Sequence, residues 1–447
     1  MVRLRLPPNI GQLAKNQRVK RWFFVLAAVV CSPLTSSADY IDAVAEQFVE
    51  VGLRFQNHDP LPYIYLGPEQ RRQAAKADPQ PLAATLSDIR ALRERLAALP
   101  ATDDLLEQRR RRDLAERLVA VQTRGEILNG QPPASFDEET QKLFGVQAPH
   151  YSEAHFRELV AKLDRLIPGK EPLVERVASF RDRFIIPRDK LDRVIGRAMQ
   201  ECRARTSQQF SLPSNEAVKL NLTGDMPWVG FTEYKGDSQS IVHLNHDVPV
   251  HIERAIELGC HEGYPGHHVH ASLIEDRLIK GRGWVEYNYI SLVGPLAVVA
   301  EGAASFAMEL AFTRQERMQF ERDVLLPLAG LSDEGLETYY HYVDLIEQLN
   351  YARNEAARKY LFEGMPRQEA IEWLMEFGLE TAGTAATRLN VIHAQRSYVV
   401  TYNFGRTMIA NYLKSKGQIG TPESWQHFHQ ILTTPLSPRD LLPTTTE

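Results

Sequence analysis

The chain has 447 residues and a mass of 50.8 kDa, with 43% hydrophobic and 24% charged residues. This composition is typical of a globular protein and excludes disordered, collagen-like and coiled-coil chains. The mean hydropathy of −0.33 and the lack of an 18-residue apolar run exclude a polytopic membrane protein. A net charge of −5 argues against nucleic acid as a partner.

The first 38 residues have the pattern of a secretory signal peptide. Six cations and no acid precede ten apolar residues, Trp22 to Cys31, and the small residues Ser36–Ala38 predict cleavage after Ala38. Val30 disfavours a lipoprotein signal at Cys31. The apolar segment is too short for a permanent anchor, so we expect a secreted or periplasmic protein without stable membrane insertion and a mature net charge of −11. An uncleaved anchor or a misplaced start codon is the alternative.

Most of the mature chain has helical periodicity, which predicts a mainly α (α+β) fold. Residues 82–127 carry apolar side chains at spacings of three and four. Pro187 suits the first turn of a helix over residues 188–205. The run Arg109–Arg112 has acidic neighbours, which favours a solvated helix face over a nucleic-acid site.

Residues 216–246 alternate apolar and polar side chains between glycine-containing turns and predict a small antiparallel β unit. The strand over Ser240–Asn245 could pair with an extended peptide or be a plain structural hairpin. This change of character divides the chain into an N-terminal helical region, 39–214, and a second region, 215–447. Cys202 and Cys260 remain after signal removal, either bridged in an oxidising compartment or as buried thiols.

Seven of the chain's 14 histidines lie between residues 243 and 270. The centre of this cluster contains His261-Glu262, Pro265-Gly266 and His267-His268. In the zincin motif HExxH, two imidazoles one helical turn apart bind Zn²⁺ and the glutamate acts as general base. The strict motif fails here because Pro265 stands where the second histidine is required.

The proline decides which histidine can replace the missing one. Pro265 cannot donate to the carbonyl of His261, so a helix bulge is expected at this point. A bulge of two residues brings His267 to the metal, and a bulge of three brings His268. The smaller insertion distorts the helix less and favours His267, whereas a polar turn with hydrogen-bonded histidines is the purely structural alternative.

This segment resembles a large bacterial family, the domain of unknown function numbered eight-eight-five, whose hallmark is HExxPGHH. The resemblance extends over roughly residues 215–415. It implies a zincin-like helical metallopeptidase, with the β unit placed before the metal-binding helix, and some members of the family look like exported lipoproteins.

A third metal ligand is expected from a helix further along the chain. The largely apolar run 290–300 ends in Glu301, and a carboxylate in such a setting should be neutralised, paired or metal-bound. The family's Glu-Gly-Trp-Ala pattern implies that Glu301 is the ligand, although this chain has Ala303 in place of the tryptophan. Glu309 is either a supporting partner or a surface charge.

The last predicted segment supplies groups that face the substrate. Tyr402 and Gly405 match a Tyr-x-x-Gly pattern of the family, which implies that Tyr402 stabilises the oxyanion, with Tyr398 and His393 as alternatives. Arg396 or Arg406 could hold a substrate carboxylate. The predicted substrate-binding residues are His268, Tyr398 and Arg406.

One departure separates this chain from the family. Where the family often carries an aspartate and a histidine, this chain has Ala357 and Leu361, beside Arg353 and Glu355. The substrate preference therefore does not follow from the resemblance.

The sequence as a whole predicts an exported zinc peptidase acting on a peptide substrate. Zn²⁺ is expected on His261, His267 and Glu301, with Glu262 as general base and Tyr402 as the second catalytic group. A non-catalytic periplasmic peptide- or metal-binding protein and a metal-dependent amide or ester hydrolase of small molecules are the alternatives. The intact Glu262 argues against the first of these, because a binding site does not need a base.

Overall fold

Helices dominate residues 37–226 and 229–443, which are the residues described by the computed structural model of this protein. The chain is 67% helical with a few short strands, which confirms the mainly α (α+β) class. Nearly all of the predicted signal peptide lies outside the described residues. The first helix begins at Ser37, next to the predicted cleavage point.

The first half of the described chain is helical apart from one short strand. The predicted helix over 82–127 is confirmed as a pair, and the predicted helix over 188–205 follows a 3-10 turn at Arg188–Lys190. The elements are α1 (Ser37–Phe55), β1 (Tyr63–Tyr65), α2 (Glu69–Ala77), α3 (Leu82–Ala97), α4 (Leu105–Leu128), α5 (Phe136–Phe144), α6 (Glu153–Leu166), α7 (Leu173–Asp182) and α8 (Leu191–Ser207).

The arginine run on α4 corrects one prediction. Arg110 is buried, not solvated, and its Nε donates to Glu286 Oε1 at 2.6 Å. Arg112 pairs with Asp440 at 2.6 Å. This face of α4 packs against the segment around residue 286, a contact between residues too distant in the chain for a local pattern to predict.

Three strands form the predicted β unit, but their pairing is mixed. They are β2 (Ala217–Thr223), β3 (Gly230–Gly236) and β4 (Gln239–Asn245), in the order β2-β4-β3. β4 pairs parallel to β2 and antiparallel to β3, so the prediction of a purely antiparallel unit is wrong. The connection over 224–229 is long enough to cross two strand spacings, about 10 Å, which leaves room for β4 in the centre.

The central position of β4 also excludes the predicted peptide pairing along Ser240–Asn245. Both edges of that strand are already hydrogen-bonded to neighbours. β3, which follows the 224–229 connection, is an edge strand of this sheet.

The second half of the described chain is again mainly helical. β5 pairs antiparallel with β1 and so joins the two halves. The elements are α9 (Glu253–Leu258), α10 (His267–Ile274), β5 (Tyr289–Ser291), α11 (Pro295–Ala311), α12 (Arg314–Phe320), α13 (Leu326–Ala329), α14 (Leu336–Leu349), α15 (Ala352–Phe362), α16 (Arg367–Phe377), α17 (Ala382–Gln395), α18 (Val400–Lys416), α19 (Pro422–Thr433) and α20 (Pro438–Leu441), with π-helical turns at Gly259–Gly263, Glu275–Lys280 and Glu321–Leu325 and 3-10 turns at Val285–Asn288 and Arg396–Val399.

The hydrophobic core does not divide at residue 214. The largest buried cluster runs from Phe136 to Leu441 and includes side chains on both sides of the predicted boundary. α1, α3 and α4 enclose a second cluster that also contains Tyr289. Cys202 and Cys260 form a disulfide with a Cα–Cα distance of 5.4 Å, which ties α8 to the turn after α9.

Among the described residues, no single helix has the length and apolar composition needed to cross a membrane. The segments 295–311 and 314–329 have that length and composition only when they are taken together, and they are bent by 78° relative to each other.

Candidate metal centre

The helix that carries His261 is interrupted before His267. α9 continues into the π-helical turn Gly259–Gly263, Tyr264 has extended backbone angles, and α10 begins at His267. A Cβ atom on Gly266 would lie 1.9 Å from the carbonyl oxygen of His261, so only glycine fits where the chain folds back. The predicted bulge is therefore a complete break, which takes the extra residues out of helical geometry.

This break brings His267 next to His261. Their ring centroids are 4.7 Å apart and the rings are nearly perpendicular, at 89°. Glu301 approaches both rings from α11: its Oε2 lies 3.5 Å from Nε2 of His261 and 3.6 Å from Nε2 of His267. One ligand atom from each of the three residues lies within 4.8 Å of the other two.

The two distances from Glu301 Oε2 to the imidazole nitrogens fit a single zinc ion. Zinc bonds of 2.0–2.2 Å in tetrahedral geometry separate two ligand atoms by about 3.4 Å, close to the two carboxylate–imidazole distances. Among the described residues, Glu301 Oε2 is buried without a hydrogen-bond partner. A buried carboxylate oxygen that faces two imidazole nitrogens at this distance is suited to share a cation with them.

The electrostatics of the cluster also favour a cation. Burial alone would lower the pKa of His261, but Glu301 and the charge of Glu262 outweigh it and raise that pKa to about 9. Burial would raise the pKa of Glu301, but His267 and His261 hold it well below its usual range. Two imidazoles around one carboxylate thus attract positive charge, for which protons and a metal ion compete.

Two glycines bring Glu301 to its place. A Cβ on Gly302 would lie 2.5 Å from the backbone of Gly405, so α11 and α18 cross at a point where neither helix has a side chain. This close approach places Tyr398 beside Glu301, and the tyrosine hydroxyl donates to Glu301 Oε1 at 2.9 Å. Tyr398 is buried. The prediction that it binds substrate is wrong, because its hydroxyl is used to orient Glu301.

Glu262 lies beside the cluster and is held by the sheet. Its side chain is on the π-helical turn, with 5% of the residue exposed, and its Oε2 accepts a 2.6 Å hydrogen bond from Thr232 on β3. A Cβ on Gly230 would lie 3.0 Å from the other carboxylate oxygen, so glycine leaves room there. The Glu262 charge acts on both His261 and Tyr402.

Tyr402 reaches the same group from α18. Its ring packs edge-on against Tyr398 with centroids 5.6 Å apart, and the residue is 47% exposed. Desolvation by its neighbours and the charge of Glu301 raise the Tyr402 pKa, so its hydroxyl stays protonated and can donate. The role of Tyr402 as an oxyanion donor stays a prediction, and its side chain lies where the charges of Glu301 and Glu262 act on it.

His268 turns away from the cluster into the protein. It is 1% exposed, its Nδ1 is 2.8 Å from Ser240 Oγ and its Nε2 is 3.2 Å from Glu216 Oε2. Glu216 also accepts from Tyr264 at 2.5 Å and pairs with Arg203. The prediction that His268 binds substrate is wrong, because the ring is buried on the far side of the break.

The other predicted substrate groups have different partners. Arg406 pairs with Glu309 at 2.6 Å and with Glu347 at 3.0 Å. Glu309 lies about 12 Å along α11 from Glu301, so the prediction that Arg406 binds substrate is corrected. Arg396 pairs with Glu139 at 2.7 Å. His393 is exposed and lies beside Tyr360.

Sequence reasoning missed the residues that hold the site. Alternation along the strands could have predicted that Thr232 and Ser240 lie on a covered face of the sheet. It could not have predicted that they contact Glu262 and His268. Glu216 has no local signal, because its partners lie up to 52 residues away.

Comparisons with known proteins give only distant likenesses. The chain matches no model of a known protein family, and no curated protein matches it. The solved structures that are similar to it include the following three. A candidate lipoprotein from Colwellia psychrerythraea has 14% identity and a TM-score of 0.49, over 92% of this chain and 75% of that one. A candidate lipoprotein of unknown function from Shewanella oneidensis has 11% identity and a TM-score of 0.44, over 92% and 79%. The protein named BsuCP has 13% identity and a TM-score of 0.39, over 89% of each chain.

Proposed function

We propose that this protein is an exported zinc-dependent peptidase that hydrolyses peptide bonds. The observation that carries the proposal is the convergence of His261, His267 and Glu301, with the carboxylate of Glu262 beside them. Two imidazoles and one carboxylate form the protein ligand set of many catalytic zinc sites, which keep one position open. A site that only stores metal has no use for a further carboxylate beside its ligands.

The residues of the chain divide the chemistry between them. His261, His267 and Glu301 would hold the zinc ion, which when bound supplies Lewis acidity toward water and toward a carbonyl oxygen. Glu262 takes a proton from the attacking water, and its hydrogen bond from Thr232 fixes the carboxylate in position. The carbon–nitrogen bond breaks, the new carboxyl group keeps the oxygen of the water, and Glu262 returns the proton to the leaving amine.

Two further groups fit a peptide substrate. The Tyr402 side chain is partly exposed, and burial of its hydroxyl raises the pKa so that the group keeps its proton and can donate to the carbonyl oxygen as negative charge develops there. β3 carries Gly230 and Thr232 beside Glu262 and is an edge strand, so its backbone can pair with an extended peptide.

Export forms part of the same proposal. The basic, apolar and small-residue segments of residues 1–38 have the order of a signal peptide. The disulfide between Cys202 and Cys260 supports an oxidising compartment, because such bonds are rare in the cytosol. N-terminal sequencing of the protein secreted or recovered from the periplasm should begin at Asp39.

One experiment separates the three functions that the sequence allows. The purified protein is analysed for bound metal and incubated with a mixed peptide library, and the wild type is compared with Glu262→Gln and Glu301→Gln. Glu309→Gln is the matched control, because it makes the same change on α11 about 12 Å from Glu301.

We expect close to one zinc per chain in the wild type, in Glu262→Gln and in Glu309→Gln, and little in Glu301→Gln. Glu262→Gln should lose hydrolysis by two to four orders of magnitude, since it removes the proton acceptor and no ligand. Zinc without hydrolysis of any peptide would contradict the proposal and favour a binding protein. Turnover of small amides or esters alone would favour the small-molecule hydrolase.

A further inference from the structure

A group of charged side chains beside Tyr402 has no part in the proposed mechanism. Arg353 on α15 and Arg388 on α17 share one oxygen of Glu380, at 3.1 Å and 3.3 Å. Arg254 on α9 pairs with Glu257 at 2.5 Å, and its charge acts on Arg353. We call Arg254, Arg353 and Arg388 the arginine cluster.

The arginine cluster has more positive charge than its partners neutralise. Its three guanidiniums face the two carboxylates of Glu257 and Glu380. Burial and the charge of Arg388 lower the Arg353 pKa to about 10, even though Glu380 opposes the shift. Among the described residues, Arg353 Nε is buried without a hydrogen-bond partner.

The arginine cluster is connected to the part of the site around Tyr402 by contacts between α15 and α18. The charge of Arg388 partly offsets the rise in the pKa of Tyr402. Asn354, the residue after Arg353, exchanges hydrogen bonds with Asn403, the residue after Tyr402. The Arg388 side chain is 40% exposed and can be reached from solvent.

One helix face connects the arginine cluster to the metal ligands. Arg254, Glu257 and His261 stand three and four residues apart, so they lie along one side of α9 and its continuation. Arg254 is seven residues before His261, about 10 Å along the helix axis. An extended peptide advances about 3.3–3.6 Å per residue, so this distance corresponds to at most about three residues.

We propose that Arg388 and Arg353 bind the C-terminal carboxylate of the peptide substrate, so that the enzyme releases short fragments of one to three residues from C-termini. This inference rests on the proposed function. A guanidinium binds a carboxylate through paired, charge-assisted hydrogen bonds. A peptide carboxylate placed here would also balance the excess positive charge of the cluster.

The test measures binding separately from turnover. A mixed octapeptide pool is synthesised once as free acids and once as C-terminal amides, and both are offered to zinc-loaded Glu262→Gln protein. Retention after ultrafiltration is quantified by mass spectrometry. The same measurement is made on the double variant Glu262→Gln/Arg388→Gln. The matched control is Glu262→Gln/Arg367→Gln, since Arg367 hydrogen-bonds Asn390 on the same helix as Arg388.

We expect the acid pool to bind at least about tenfold more tightly than the amide pool, as for the loss of a charged hydrogen bond. Arg388→Gln should remove this difference and Arg367→Gln should keep it. In the active protein, Arg388→Gln should raise KM for acids and leave kcat within about twofold. The fragments released from the C-terminus should be at most three residues long.

Equal retention of acids and amides, including no retention of either, would overturn the inference. So would a preference for acids that survives in Arg388→Gln. A different result would contradict the proposed function: the zinc-loaded wild type would cleave neither pool. A preference for acids in binding can persist in that case.

Discussion

Alanine at His267 and alanine at His268 should have different effects: the first should weaken zinc binding and the second should lower the stability of the fold. His267 faces Glu301, and we propose it as one of three protein ligands. Structural zinc sites with four ligands bind with about 10–16 kcal/mol in total, or about 2.5–4 kcal/mol per ligand. His267→Ala should therefore weaken zinc binding by more than about 100-fold. Without metal, the His267→Ala variant should be almost as stable as the metal-free wild type.

His268→Ala should instead destabilise the fold. The ring is 1% exposed and bonds to neutral Ser240 and to the carboxylate of Glu216. Losing one neutral and one charged hydrogen bond costs about 2.5–4 kcal/mol. Unfolding entropy is about 2.1 cal/mol/K per residue, so in a chain of this length each kcal/mol lowers Tm by about 1 °C. The expected loss is about 3–5 °C.

Two assays separate these effects. Zinc affinity is measured by competition with a chromogenic chelator, and Tm is measured in excess chelator so that metal does not contribute. His341→Ala, at an exposed position on α14, is the control and should change neither quantity. A larger loss of zinc affinity in His268→Ala than in His267→Ala would refute the assignment of the ligands.

Two further predictions concern the supports of the site. Burial alone would raise the pKa of Glu216, but hydrogen bonds from His268, Tyr264 and Arg203 lower it to about 2. This carboxylate therefore stabilises the fold above about pH 4.5 and loses its effect as pH falls toward 2, so acid titrations of Tm for wild type and Glu216→Gln should converge over that range. A constant difference would contradict the pairing. Gly302→Ala should lower both Tm and hydrolysis, because its Cβ would meet the backbone of α18 at 2.5 Å. A Cβ on Gly196 in α8 meets nothing within 4 Å, so Gly196→Ala is the control and should slightly raise Tm; equal Tm changes in both variants would contradict the close crossing.

The three candidate metal ligands could be predicted from sequence because local rules constrain them. Pro265 makes a regular helix impossible, so the residues after it must change register. Glu301 is a lone carboxylate in an apolar helix and requires a partner. These two facts, with the family pattern, led to the same three residues that the structure brings within 4.8 Å.

The remaining features depend on contacts between distant residues. Arg110 looks like a surface charge until Glu286, 176 residues later, packs against it. β4 occupies the centre of its sheet, and the order of strands is not encoded by alternation along a strand. The assignments of His268 and Arg406 failed for the same reason, since their partners come from other elements.

The small sheet explains how His261 and His267 stay close together although the helix between them is broken. In an unbroken HExxH helix, backbone hydrogen bonds fix the distance between the two histidines. Here Thr232 on β3 holds Glu262 before the break, and Ser240 on β4 holds His268 after it. Since these strands are hydrogen-bonded neighbours, about 4.8 Å apart, both sides of the break are fixed to one rigid surface. His261 and His267 are each adjacent in sequence to one of the held residues, so the sheet sets the distance that the helix no longer sets.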